Sequence, residues 1–170
     1  SVHNVTLSVP ADGPLFSSNS AATLSTSTNS NGELEVSLTS LVAGTFTVSA
    51  RLGSSAAVSA QVTFAADINS AQMTVTADTG EAAAANGRAT RTVTATLTDA
   101  GDNPLQNQAV IFTVNGGPAF SGEASGTTDD NGTVTVTLTS TVAGSFTVSG
   151  VATDLSLSGS AEVAFTADAS

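Results

Sequence analysis

The side chains able to do chemistry in this chain are few, and most are carboxylates. Its 170 residues include 14 Asp and Glu, three arginines, one histidine, no lysine and no cysteine. Glu33 and Glu35 stand two apart, which on a strand places both on one face. Carboxylates paired in that way can serve glycoside hydrolysis. Turns supply the other candidate chemistry. Asp and Asn gather at Asp99, Asp102 and Asn103, at Asp129, Asp130 and Asn131, and at Asp67 and Asn69. Oxygen-rich loops between sandwich domains can hold Ca²⁺ and stiffen a junction, so Asp67 and Asn69 are the first ligands to consider. Against this, Asp and Asn are ordinary turn residues, and neither the EF-hand spacing nor a D-x-D-x-D run is present. On that reading the chain holds no metal and no other cofactor.

Catalysis finds little support. His3 lies near the first residue, no Cys or Lys is present to act as nucleophile, and no Ser has an evident base partner. Thr133 and Thr135 occupy the places of Glu33 and Glu35 in a repeated segment, which marks a solvated face. No catalytic residue is expected and the chain is read as not an enzyme. Without lysine, a Lys–Asn isopeptide cross-link cannot form either. The net charge is −11. It divides into about −3 over residues 1–67 (four carboxylates against Arg51) and about −8 over 68–170 (ten against Arg88 and Arg91). Such a chain cannot neutralise a phosphate backbone or an anionic lipid surface, which argues against nucleic-acid and membrane partners. No apolar run is long enough to cross a bilayer as a helix, so direct membrane insertion is not expected.

The elements that would position these residues are strands. Residues 32–50 (GELEVSLTSLVAGTFTVSA) return at 132–150 (GTVTVTLTSTVAGSFTVSG), 100 positions later. A period of that length is a whole sandwich domain, not a solenoid turn. Period-two alternation marks strands around Met73–Ala77, Thr92–Thr98, Val110–Val114, Thr133–Thr139, Phe146–Ser149 and Val163–Phe165. Turn clusters at Asp99–Pro104 and Asp129–Gly132 separate them. Only Glu81–Ala85 has helical propensity, and it is too short to stand alone. The reading is all-β: tandem immunoglobulin-like β-sandwiches, with a partial domain over 1–67 and a complete one over 68–170. The partial domain lacks its opening strands, about forty residues that the second copy carries at 68–109. It is expected to expose apolar surface and strand edges, and a short link without a Gly/Pro-rich stretch is expected to restrict bending between the two.

The predicted core of the complete domain is Val93, Leu97, Phe112, Val136, Leu138, Phe146, Val148 and Phe165. Its counterparts in the partial copy are Leu7, Val36, Leu38, Phe46, Val48 and Phe64. Removing the Phe146 ring from such a core is expected to cost about 3–5 kcal/mol.

TDAGDNPLQNQAVIFTV (98–114) followed by TTDDNGTVTVTLTSTVAGSFTVSG (127–150) resembles the bacterial Ig-like domain of group 1, which builds the extracellular part of intimin/invasin adhesins. The resemblance covers Met73 to Asp168, and the first copy from Val5 onward. It implies repeats stacked as the stalk of a Gram-negative outer-membrane adhesin involved in virulence, with receptor binding near the tip. The expected function is thus that of a structural spacer on the bacterial cell surface, anchored to the outer membrane through other parts of a parent chain. Its partners would be the neighbouring Ig-like domains, and a host-surface receptor reached through the parent. Two alternatives stay open: a module that itself binds a host protein or glycan, and one that self-associates in cell–cell adhesion. The absence of Trp and Tyr, which dominate hot spots and sugar platforms, weighs against direct binding.

Overall fold

Thr alternating with Val, Ala and Leu makes strands here wherever a neighbouring strand is present to pair them. A computed structural model of the chain describes residues 1–169 and divides into two units, Ser1–Ala66 and a second from Asp67 onward. The first unit contains β1 (Asn4–Ser8), β2 (Leu15–Phe16), β3 (Thr23–Ser27), β4 (Leu38–Thr39), β5 (Gly44–Leu52) and β6 (Val58–Phe64). One sheet runs in the order β3-β1-β5-β6, while β2 pairs with β4 alone. The second unit contains β7 (Gln72–Ala77), β8 (Ala83–Ala84), β9 (Arg91–Thr98), β10 (Ala109–Val114), β11 (Ala119–Phe120), β12 (Ser125–Thr127), β13 (Thr133–Thr139), β14 (Gly144–Ala152) and β15 (Leu157–Thr166). Its sheets run β12-β10-β14-β15-β8 and β11-β13-β9-β7.

Laid over one another, β1 to β6 correspond in order and in pairing to β10 to β15. Strands β7, β8 and β9 have no counterpart among the described residues of the first unit. The Ala-rich run with helical propensity becomes β8, which pairs in parallel with the end of β15 (Phe165↔Ala83, Thr166↔Ala84). An open sheet edge there satisfies its backbone groups, which a single helical turn would leave mostly unpaired.

In the second unit the alternation sets one face of each sheet inward. Val93, Ala95 and Leu97 of β9 and Val134, Val136 and Leu138 of β13 face Val110, Phe112, Val148, Val163 and Phe165, all of them buried. Of the predicted core only Phe146 departs: it is half-buried. Its ring lies against Gly116 and Gly144, where a Cβ on Gly116 would come within 2.8 Å of the ring carbons. The ring therefore covers loop backbone instead of filling the space between the sheets.

The first unit departs further. Leu7, Val9 and Phe16 are buried, but Val36, Leu38, Phe46, Val48 and Phe64 are only half-buried. Phe46 and Phe64 tilt against each other with ring centroids 6.4 Å apart. The second unit has the cover of β7 and β9, which have no counterpart among the described residues of the first. Residues 33–37, whose counterparts form most of β13, are not strand at all, so β4 keeps only Leu38–Thr39.

These two environments in one unit set a testable contrast. In urea unfolding followed through the second unit's transition, Phe112→Ala should cost about 3–5 kcal/mol and Phe146→Ala roughly half as much. Equal losses would contradict the placement of the Phe146 ring.

Candidate functional site

The residues that define the sequence signature meet around the turns, so the site is built there. Asp99 follows β9 directly and is 5% exposed. Its carboxylate accepts from the Asp67 N–H at 2.9 Å, the Gly101 N–H at 2.8 Å and the Asn103 N–H at 2.9 Å. The Asn103 amide adds bonds of 3.0 and 2.9 Å to its two oxygens. Burial opposes the charge, but the bonds from Asp67, Asn103 and Gly101 together outweigh it and hold the pKa at about 2, against an ordinary 3.8. Asp99 thereby ties the segment entering the second unit to the loop after β9. Beside it, Asp67 Oδ1 accepts from the Asn69 N–H at 3.0 Å and caps the short 3-10 turn Ile68–Ser70. Ser70 Oγ donates to the Asp67 carbonyl at 3.1 Å and accepts from the Ala100 N–H at 3.2 Å.

The residues singled out for calcium thus act as turn and entry fasteners. Asn69 contributes its backbone N–H to this arrangement. Among the described residues, no three His, Asp or Glu side chains converge as a ligand set.

The next turns are sewn to this one. Thr128 is buried; its hydroxyl donates to the Leu105 carbonyl at 2.6 Å and accepts from the Gln108 N–H at 2.9 Å. Asp129 accepts from the Asn131 and Thr133 N–H groups, each at 2.9 Å, and from the Thr133 hydroxyl. The Thr133 backbone bond is the main cause that draws its pKa below the ordinary value. Gly132 sits at φ +74°, where a Cβ would fall 2.4 Å from the Leu97 carbonyl oxygen. Only glycine lets the Asn-Gly turn approach the end of β9 so closely. Ser140 Oγ donates to the Val142 carbonyl at 2.7 Å and accepts from its N–H at 2.9 Å, and Ser40 repeats this with Val42.

The carboxylates that could have done acid–base work are not arranged for it. Glu33 and Glu35 are exposed and lie on a segment outside any strand. A groove of about 520 Å³ beside Glu35 is lined by hydroxyls such as Ser25, Thr26 and Ser37, together with Leu24 and Val36. His3 is exposed, with its N–H bonded to Thr28 Oγ1.

One residue went unread in the sequence. Arg91 is 6% exposed, and its guanidinium pairs with Asp78 (Nε to Oδ1, 2.6 Å) and donates to the Asp78 and Glu81 carbonyls. The signal was available: Arg91 shares the inward parity of Val93, Ala95 and Leu97. Asp99, Thr128, Asp129, Ser140 and Arg91 bond within their own unit and fix the turns there.

Comparison with known proteins shows the family. Residues 69–166 match the model of the bacterial Ig-like domain (group 1). Over 160 residues, 90% of the chain, the sequence is 34% identical to the inverse autotransporter adhesin YeeJ of Escherichia coli (strain K12), and it spans 7% of that protein's length. It is also 34% identical to the D0-D1 domain of intimin, covering 96% of this chain and 80% of that structure with a TM-score of 0.50. The Escherichia coli adhesin FdeC shares the fold, with a TM-score of 0.54 at 21% identity over 95% of this chain and 51% of that one.

The Asp99 tie has a pH signature. Its pKa is lowered on folding, so its stabilisation is complete above 3.8 and is lost as pH falls toward about 2. Asp99→Asn should lower the Tm at pH 7 and flatten the acid decline over that window, with a residual slope from Asp129. A variant curve parallel to that of the unchanged chain would contradict the tie.

Proposed function

The chain belongs to the bacterial Ig-like domain (group 1) family, and from that premise we propose that it works as a structural spacer in a bacterial surface adhesin, holding a distal binding domain away from the cell. The observation that carries the proposal is the use of the signature side chains. Asp99, Thr128, Asp129 and Ser140 bond within their own unit, and Gly132 is there for close backbone approach. A surface evolved to grip a partner would instead offer convergent polar groups and aromatic anchors around a concavity. The chain has neither Trp nor Tyr.

The role is mechanical, and its carriers are the packed cores and the ties between turns. No cofactor is required, because carboxylates at the turns already receive backbone N–H donors. Contact with a host receptor falls to other parts of a parent adhesin, and outer-membrane anchoring does also. Enzymatic activity has no place in this reading.

Two measurements test it together. The chain should bind cultured host cells and an extracellular-matrix panel no better than an unrelated acidic sandwich of similar size, and its melting curve should be the same in calcium and in chelator. Saturable binding above that control would overturn the spacer role in favour of a binding module. A calcium-dependent rise in Tm would overturn the cofactor-free reading and return attention to Asp67 and Asn69.

A further inference from the structure

Four Asn–Gly pairs occur in the chain: Asn31–Gly32, Asn86–Gly87, Asn115–Gly116 and Asn131–Gly132. Such a pair has a reactivity of its own. With no Cβ on the second residue, its backbone nitrogen can swing onto the Asn side-chain carbonyl carbon and displace ammonia. Three of the four nitrogens are occupied. The Gly32 N–H donates to the Asn29 carbonyl at 3.0 Å, the Gly87 N–H to the Ser140 carbonyl at 2.9 Å and the Gly132 N–H to the Asp129 carbonyl at 3.0 Å. Asn86 is held a second time, because its Oδ1 accepts from the Arg88 and Ala89 N–H groups, each at 2.9 Å.

Asn115–Gly116 differs. Both residues are exposed in the loop between β10 and β11. Among the described residues, neither the Gly116 N–H nor the Asn115 side chain makes a hydrogen bond. The nitrogen that must attack and the amide that must turn to meet it are both untied.

We propose that Asn115 is a site of spontaneous deamidation and the fastest of the four in the folded chain. The Gly116 nitrogen attacks Asn115 Cγ. A C–N bond forms there, the bond from Cγ to the amide nitrogen breaks, and ammonia leaves with the proton that the Gly116 nitrogen gives up. Water then opens the succinimide. Attack at the former side-chain carbonyl gives aspartate, and attack at the backbone carbonyl gives isoaspartate. No oxidant and no reactant other than water enters.

The position gives the change a structural consequence. Either product adds a negative charge to a unit already at about −8. Isoaspartate also routes the chain through the side-chain carbon, which adds one atom to the backbone immediately before Gly116. Gly116 is the residue that lies against the Phe146 ring, where a Cβ would come within 2.8 Å of the ring carbons. The lengthened loop therefore loosens that contact. In the first unit Pro10 follows Val9 as Asn115 follows Val114, so that copy has no such pair in this loop.

The test incubates the intact chain in mildly alkaline buffer and follows each Asn–Gly pair by peptic digestion and mass spectrometry. Asn115 should convert about tenfold faster than any of the other three, the advantage of groups not tied by a hydrogen bond. In guanidinium chloride concentrated enough to unfold the chain, the four rates should converge. The aged chain, enriched in isoaspartate, should melt below the Asn115→Asp variant, which carries the charge without the added backbone atom. Faster conversion at Asn31, Asn86 or Asn131 in the folded chain, or a spread of rates that persists in denaturant, would overturn the site. Equal Tm values for the aged chain and the variant would overturn its effect on Phe146.

Discussion

Much of what is distinctive in this chain depends on one requirement: a strand persists only where a neighbouring strand pairs with its backbone groups. Residues 133–139 and their counterparts 33–39 share the same alternation and follow equivalent turns. The first run is seven residues of strand between β11 and β9; the second is two residues of strand, paired among the described residues with β2 alone. The alternation is the same in the two copies, but Glu33, Leu34, Glu35 and Ser37 replace Thr133, Val134, Thr135 and Thr137, so weaker strand formers add to the missing pairing. The consequence passes from backbone to core. Where β9 is present, Val136 and Leu138 are buried; where its counterpart is missing, Val36 and Leu38 stay half in solvent.

Turn residues perform the second task, which is to fix where each strand begins. Asp99 collects donors from Asp67 and from the loop Gly101–Asn103, Thr128 bridges Leu105 and Gln108, and Gly132 lets two turns touch. The first unit keeps the parts of this system that do not need β9: Asn29 performs the role of Asp129, and Ser40 that of Ser140. A domain held in this way uses these polar residues for its own connections.

Much of this was legible in the sequence, for physical reasons. Period-two alternation of Thr with Val or Leu marks a half-buried strand directly, and Asp-x-x-x-x-Pro-Leu and Asn-Gly mark turns through backbone chemistry that few other residues provide. Three features were not. Ala83–Ala84 carries helical propensity, and only the free edge of β15 makes it a strand. Phe146 continues the apolar alternation of β14, but its ring turns onto Gly116, which lies thirty residues earlier in the chain. Arg91 has the parity of a core residue and a charge that suggests the opposite; its placement depends on Asp78 reaching it across the chain.

The central claim is that strand pairing separates the two copies. The most direct measurement is residue-resolved amide hydrogen exchange on the intact chain, comparing Leu34 and Val36 with Val134 and Val136. Strong protection at Val134 and Val136 together with near-unprotected exchange at Leu34 and Val36 is the result this account predicts. Comparable protection at both pairs would mean that residues 33–37 form a paired strand after all, and would contradict it.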